Sequence, residues 1–277
     1  MALTITDGQQ YMVRFLHYEK ALALMPGLSE ELLATLVGLS LDDYRAARAA
    51  CAAEAREAAQ ELLADAAFAA SADRLPFAPG AVVVGLGDSI TDDLLSWFEI
   101  LRQLCDLRRP DDKIQFINAG IYGETTTQLI SRFFAVADRQ PDWIICFAGT
   151  NDARRHGHQP LKTLVSPAET EQNLAALRQF GATQTNAQWL WVTPATVVEE
   201  QIAASPFLSG RQVMWRNDDL RAAADAVRRQ SGPIVDLQPL FGTPANPGYL
   251  ISDGLHPNLT GQKIIARAVI EKLSELG

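Results

Sequence analysis

Three cysteines in 277 residues, at positions 51, 105 and 146, are too few and too far apart for a disulfide scaffold. With no C-x-x-C they make no zinc site either, and they read as buried thiols in a reducing compartment. No apolar run reaches the ~20 residues that a bilayer span needs. The opening MALTITDGQQ has neither a basic region nor an apolar core, so no secretory leader is recognisable and a cytoplasmic location is expected. Basic residues are in deficit, with 24 Lys and Arg against 33 Asp and Glu, a net charge of −9. A chain with that balance and no basic run is a poor match for a phosphate backbone, so no nucleic-acid partner is expected. The lack of a cationic amphipathic stretch argues against a membrane surface as well. What remains is ordinary globular composition, 48% hydrophobic and 21% charged.

The chain divides near residue 80. Residues 1–78 read as an all-helical N-terminal extension and residues 79–277 as an α/β domain. Fourteen of the twenty-five residues from Ala46 to Ala70 are alanine. Ser40 and Asp43 form a capping box that opens this stretch. Leu41, Tyr44, Ala47, Cys51, Ala55, Ala58 and Leu62 then recur at steps of three and four, one face of a long helix. Two shorter helices are expected before it, near 7–24 and 29–38, broken at Pro26-Gly27. The small, flat stripe can pack on another helix or on the main domain, and an oligomerisation arm is one role open to it. No catalytic grouping is visible in this segment.

Beyond residue 80 short apolar runs alternate with helical stretches. Strands are expected at 81–86, 113–118, 142–148, 188–193 and 233–237. Helices are expected near 92–105, 124–139, 168–182, 211–230 and 260–275. Continuous apolar strands alternating with helices argue a parallel sheet covered on both faces. In such sheets the working loops follow the C-terminal ends of the strands.

Four of those loops carry chemistry. The first is Gly85-Leu86-Gly87-Asp88-Ser89-Ile90-Thr91. It is no dinucleotide fingerprint, because Ile90 stands where the third glycine belongs. Thr91 is expected to cap the next helix, with Asp92 and Asp93 in its first turn. Ser89 would then lie beside free backbone N–H groups, where a hydroxyl can attack a carbonyl. The second loop, Asn118 to Thr125, holds Gly120 and Gly123, either of which could offer an amide to an oxyanion. The third, Gly149-Thr150-Asn151-Asp152, could point the Asn151 amide into the same space. The last is Asp253-Gly254-Leu255-His256-Pro257. Gly254 allows a tight bend there, and Pro257 keeps His256 out of the following helix. Asp253 could accept the Nδ1 hydrogen and leave Nε2 as a base. Singly these are a Gly-Asp-Ser turn, a glycine turn, a capped loop and a buried histidine satisfied by its neighbour. Their conjunction at successive strand ends argues for chemistry.

These blocks, in this order across roughly residues 81–275, make the chain resemble the SGNH/GDSL hydrolase family. The Gly-Asp-Ser block is similar to Gly87-Asp88-Ser89, with Ile90 in place of the family's leucine. Gly123, in favour over Gly120, corresponds to the second-block glycine, and Asn151 and Asp152 lie in the Gly-x-Asn-Asp block. Asp253 and His256 fall in Asp-x-x-His-Pro. The resemblance implies a flavodoxin-like three-layer α/β/α sandwich around a five-stranded parallel sheet. It implies a serine esterase acting through an acyl-enzyme, with Ser89 as nucleophile, His256 as base and Asp253 orienting it. The oxyanion hole would combine Ser89, Gly123 and Asn151, with no metal or organic cofactor. The substrate expected is a small soluble ester with a short acyl chain. A carbohydrate O-deacetylase, a thioesterase and a non-catalytic binding module on this fold are the alternatives.

Three further features invite a reading. His156-x-His158 could be a metal pair but has no third ligand, which favours a solvent-facing loop. Trp143, Trp189 and Trp191 read as core. The long stretch 195–215 carries Phe207, Leu208, Met214 and Trp215 and could wall an acyl pocket or simply pack.

Overall fold

The computed structural model describes residues 5–21, 28–157 and 161–277. The expected break at Pro26-Gly27 and His158 of the histidine pair lie outside the described residues. Five strands form one parallel sheet: Val82–Gly87, Gln115–Gly120, Trp143–Phe147, Gln188–Val192 and Ile234–Val235. Their spatial order is second, first, third, fourth, fifth, the flavodoxin-like arrangement. The last strand pairs over two residues only, so the run 233–237 overstates it.

Alternation along the strands feeds two cores, because successive side chains point to opposite faces. Val83, Ile145 and Leu190 turn to one face, under the helices Trp97–Arg108 and Leu259–Ser274. Val84, Ile144 and Trp189 turn to the other, under Thr126–Ala137, Pro167–Gln184 and Asn217–Arg228. Trp143, Trp189 and Trp191 are buried, as their place in the strands implies.

Two of the N-terminal helices join the first of these cores, while Val13, Leu33 and Ala34 of the shorter ones gather in a separate cluster with Tyr44 and Ala47. Ser40 caps the helix Leu41–Leu63, accepting from the Asp43 N–H at 3.1 Å and donating to the Asp43 carboxylate at 2.7 Å. Its buried face is Tyr44, Ala47, Cys51, Ala55, Ala58, Ala59 and Leu62, the anticipated stripe apart from Leu41, which stays half-buried. Ala58, Ala59 and Leu62, with Phe68 of the helix Ala66–Ala72, share a cluster with Trp97, Leu101 and Ile270. Alanine permits the close helix contact, and the stripe from Cys51 onward faces this chain's own α/β unit. All three cysteines are buried and free.

Two expectations about helix ends need correction. The stretch near 7–24 is not one helix: Asp7–Phe15 ends at Leu16, whose backbone leaves helical geometry, and a short turn follows at Tyr18–Ala21. The stretch near 211–230 begins as a strand. Val213–Met214 pairs antiparallel with Arg155–His156, and the helix starts only at Asn217. No described helix is long and apolar enough to cross a membrane.

Candidate active site

The sheet register sets the site. Gly87 lies opposite Gly120 on one side and Phe147 on the other, so the first three strands end level. The loops after them open at one edge.

The nucleophile turn differs from the sequence expectation. Asp88, not Thr91, caps the turn that follows: its carboxylate accepts the Ile90 N–H at 3.0 Å, and Ser89–Asp92 make one helical turn. Ser89 opens that turn, so its N–H has no intrahelical acceptor. Thr91 is buried and accepts from the Trp97 indole N–H at 3.3 Å. Ser96 caps the next helix, which begins at Trp97 rather than near 92. Gln262 of the last helix accepts the Trp97 N–H at 2.9 Å and donates to the Ile90 carbonyl at 3.3 Å, tying the turn down from the far end of the chain.

Against this turn stands the loop before the last helix. Asn258 caps that helix, which starts at Leu259 and leaves His256 outside it, in the bend before Pro257. His256 Nε2 lies 3.0 Å from the Ser89 hydroxyl. Its Nδ1 lies 2.6 Å from one Asp253 oxygen. The other Asp253 oxygen accepts the backbone N–H groups of Leu255 and His256, each at 2.9 Å, so the carboxylate cannot rotate away. Ser89 and His256 are both buried. Burial disfavours a charged imidazole, but Asp253, with Asp88 and Asp93 more weakly, outweighs it and raises the His256 pKa above its ordinary value. Burial likewise pushes the Asp253 carboxyl up, and its bonds to His256 more than offset this, leaving it below the usual carboxylate range.

The second loop separates the two glycines. A side chain on Gly120 would meet the Asp92 backbone nitrogen at 2.5 Å, and the Gly120 N–H already donates to the Asn118 side chain at 3.0 Å. Gly120 therefore lets the second strand approach the nucleophile turn. Gly123 has φ of +78°, a conformation that favours glycine, and a side chain there would meet nothing closer than Arg154 at 3.8 Å. Among the described residues the Gly123 N–H finds no hydrogen-bond acceptor.

In the third loop the Asn151 amide donates to Asp88 at 3.3 Å. Burial drives the Asp88 carboxyl up to about 6, against the opposing pull of the Ile90 N–H and the nearby His256 ring. Asp152 has a structural task. It accepts from the Thr126 N–H at 2.8 Å and the Thr170 hydroxyl at 2.8 Å, fixing the loop that presents Asn151. Among the described residues no group of three or more side chains could hold a metal ion. His156 sits exposed on the short antiparallel ribbon.

Sequence reasoning missed the N-terminal contribution. Phe15 packs its ring 4.9 Å from the His256 ring, and Tyr11 stands edge-on to it at 6.0 Å. Asp92 and Asp93 are almost wholly buried, and both take their cations from this segment. Arg14 bonds Asp93 through Nε at 3.0 Å and Nη2 at 2.6 Å. His17 Nδ1 approaches Asp92 at 2.7 Å, and the Lys20 ammonium donates to the same oxygen. Removing one partner of a buried pair typically costs about 3–5 kcal/mol. The segment is therefore held firmly against the nucleophile turn. The sequence carried one clue: two carboxylates directly after a buried motif need cations from somewhere.

The model of the GDSL-like Lipase/Acylhydrolase family matches residues 86–264, well over half of the chain. No curated protein matches it in sequence. Among solved structures, LAE5, an alpha/beta hydrolase enzyme from the metagenome of Lake Arreo in Spain, is similar at 25% identity and a TM-score of 0.59. That likeness covers 73% of this chain and 99% of LAE5. Axe2, an acetylxylan esterase from Geobacillus stearothermophilus, shares the fold at 23% identity and a TM-score of 0.55, over 71% of this chain and 95% of its own. The ordered motifs and the span of the match place the chain in the GDSL-like lipase/acylhydrolase family, as an ester-hydrolysing serine hydrolase.

Proposed function

We propose that the enzyme cleaves small carboxylic esters with short acyl groups through an acyl-enzyme on Ser89. His256 Nε2 takes the hydroxyl proton as the Ser89 oxygen attacks the ester carbonyl. Asp253 keeps the Nδ1 hydrogen, which leaves the Nε2 lone pair facing the serine, and stabilises the imidazolium that forms. The tetrahedral oxyanion is held by the N–H groups of Ser89 and Gly123 and by the Asn151 amide. Collapse breaks the bond to the alcohol oxygen, which leaves with the proton from Nε2. Water, deprotonated by His256, then attacks the acyl-serine. The carboxylic acid departs and the serine hydroxyl is restored.

The observation that carries this reading is the pair of short contacts on one imidazole, 3.0 Å to Ser89 and 2.6 Å to Asp253. The oxyanion assignment is supported by the unengaged Gly123 N–H and by the Asn151 amide, which has a second hydrogen beyond the one aimed at Asp88. A short acyl group is favoured because Ser89 is only 5% exposed and aromatic rings crowd its base. We also read the chain as a helical segment up to residue 78 and a hydrolase unit from 79. The start of the family match at 86 supports that division, although the two parts share a core.

A fluorophosphonate probe tests the assignment. The intact protein should form one covalent adduct, which peptide mapping places on Ser89, and Ser89→Ala should form none. An adduct on another serine, or none on the wild-type protein, would remove Ser89 as nucleophile.

A further inference from the structure

The leaving alcohol receives its proton from His256 Nε2, so the alcohol half of the ester must lie along that imidazole. Three rings surround the imidazole: Phe15 at 4.9 Å, Tyr11 edge-on at 6.0 Å and Tyr122 stacked at 6.2 Å. Phe15 is 1% exposed and is consumed in packing. Tyr11 and Tyr122 both keep part of their surface open.

Tyr11 is the joint of this surface. Its hydroxyl lies 3.4 Å from that of Tyr122, on the loop that carries Gly123. Its ring lies 5.3 Å from Phe207, an exposed ring in the long stretch after the fourth strand. The Arg211 guanidinium covers Phe207 at 4.0 Å. Three distant parts of the chain thus supply one aromatic border beside the base. Burial, and then Tyr122, push the Tyr11 phenol well above its ordinary pKa, so the ring stays neutral through any working pH. Residue 11 also precedes the matched span 86–264, so the Tyr11 part of this border comes from the N-terminal segment, while Tyr122 and Phe207 lie within the span.

A wall and a lid are different devices, and the ion pairs decide between them. Lifting the helix Asp7–Phe15 would strand the buried Asp93 without Arg14. Just beyond it, His17 and Lys20 hold Asp92. Both anchors adjoin the nucleophile turn, so the helix stays down while substrate binds.

We infer that Tyr11 is a specificity-determining residue, its ring forming with Tyr122 and Phe207 a fixed aromatic wall that favours esters of ring-bearing alcohols. The inference rests on the acyl-enzyme reading above. Aromatic faces and edges reward a ring in contact with them and give little to a methyl group.

Benzyl acetate and methyl acetate share an acyl group and differ in the alcohol, so their kcat/KM ratio isolates the wall. Loss of one aromatic pair, about 0.5–1.5 kcal/mol, corresponds to roughly two- to tenfold. Tyr11→Ala should raise KM for benzyl acetate by that factor and leave methyl acetate within about twofold. Tyr11→Phe should keep the wild-type ratio. Tyr11→Leu, which preserves most of the packing volume, should behave like Tyr11→Ala and stands in for it should the smaller side chain unfold the protein. An unchanged benzyl-to-methyl ratio in both ring-less variants overturns the inference. So does an equal loss on both esters, which would make Tyr11 a support for His256. Wild-type protein that turns over neither ester would overturn the acyl-enzyme reading, and this inference with it.

Discussion

Arg14 and Asp93 form a two-pronged ion pair, 3.0 and 2.6 Å, across 79 positions of sequence. It joins the first helix to the residue that ends the nucleophile turn. Asp93 also accepts the Leu95 N–H at 3.0 Å, so the carboxylate is fixed from both sides. Loss of the guanidinium leaves a buried charge without a cation. Arg14→Leu should therefore lower stability by about 3–5 kcal/mol, read as a fall in the urea midpoint at constant slope. Adding Asp93→Asn to that variant should recover part of the loss. A double variant no more stable than the single one would show that the pair is not the anchor.

Asn151 is assigned to the oxyanion and not to substrate binding. Asn151→Ala should lower kcat by about 10²–10³-fold with little change in KM. A rise in KM at constant kcat would move Asn151 from the transition state to the ground state.

The acid limb of the rate profile reports His256. Its folded pKa is raised, and the base form is the active one, so activity falls as pH drops through a value above the ordinary ~6.5. Asp253→Asn removes the largest raising influence while burial remains. The residual activity of that variant should show its acid limb at lower pH. A wild-type midpoint at or below 6.5 would contradict the placement of Asp253 beside the ring.

Asp88 links site and stability. Its carboxyl is raised to about 6 by burial, whereas an unfolded chain ionises near 3.9. Between those values the folded state holds a proton that the unfolded state has lost, so stability falls as pH rises from about 4 to 6. A shift of about two units amounts to roughly 3 kcal/mol. Asp88→Asn keeps an oxygen for the Ile90 N–H and removes the buried charge. The variant should be more stable than wild type at pH 8, by up to that order, with the advantage vanishing below about pH 4. Equal denaturation midpoints at both pH values would show that Asp88 is not burdened by its charge.

What could be read in advance follows from the range of the interactions. Strands such as Val82–Gly87 and Trp143–Phe147 announce themselves because both faces are buried and every residue is apolar. The Leu41–Leu63 helix does so through its cap and its stripe. The Ser89 and Asn151 blocks are legible because each is a local motif at a strand end, and Asp253–His256 because its residues fall within one short loop before the last helix. Only its place in the motif favours Gly123 over Gly120 in the sequence, since the physical difference lies in which one meets the Asp92 backbone. The cap of the nucleophile turn was misplaced because Asp88 and Thr91 are both good caps, and only the geometry of the strand end selects Asp88. Tyr11, Arg14 and Phe15 were invisible as site residues. Their spacing describes a short amphipathic helix, and nothing local says that its partners are Asp93 and His256.

Turnover of a short acetate ester by Ser89→Ala tests the central claim most directly. Loss of the nucleophile should reduce kcat by at least about 10⁴-fold, with the urea midpoint held near that of the wild type. Undiminished turnover by the folded variant would show that hydrolysis does not pass through Ser89.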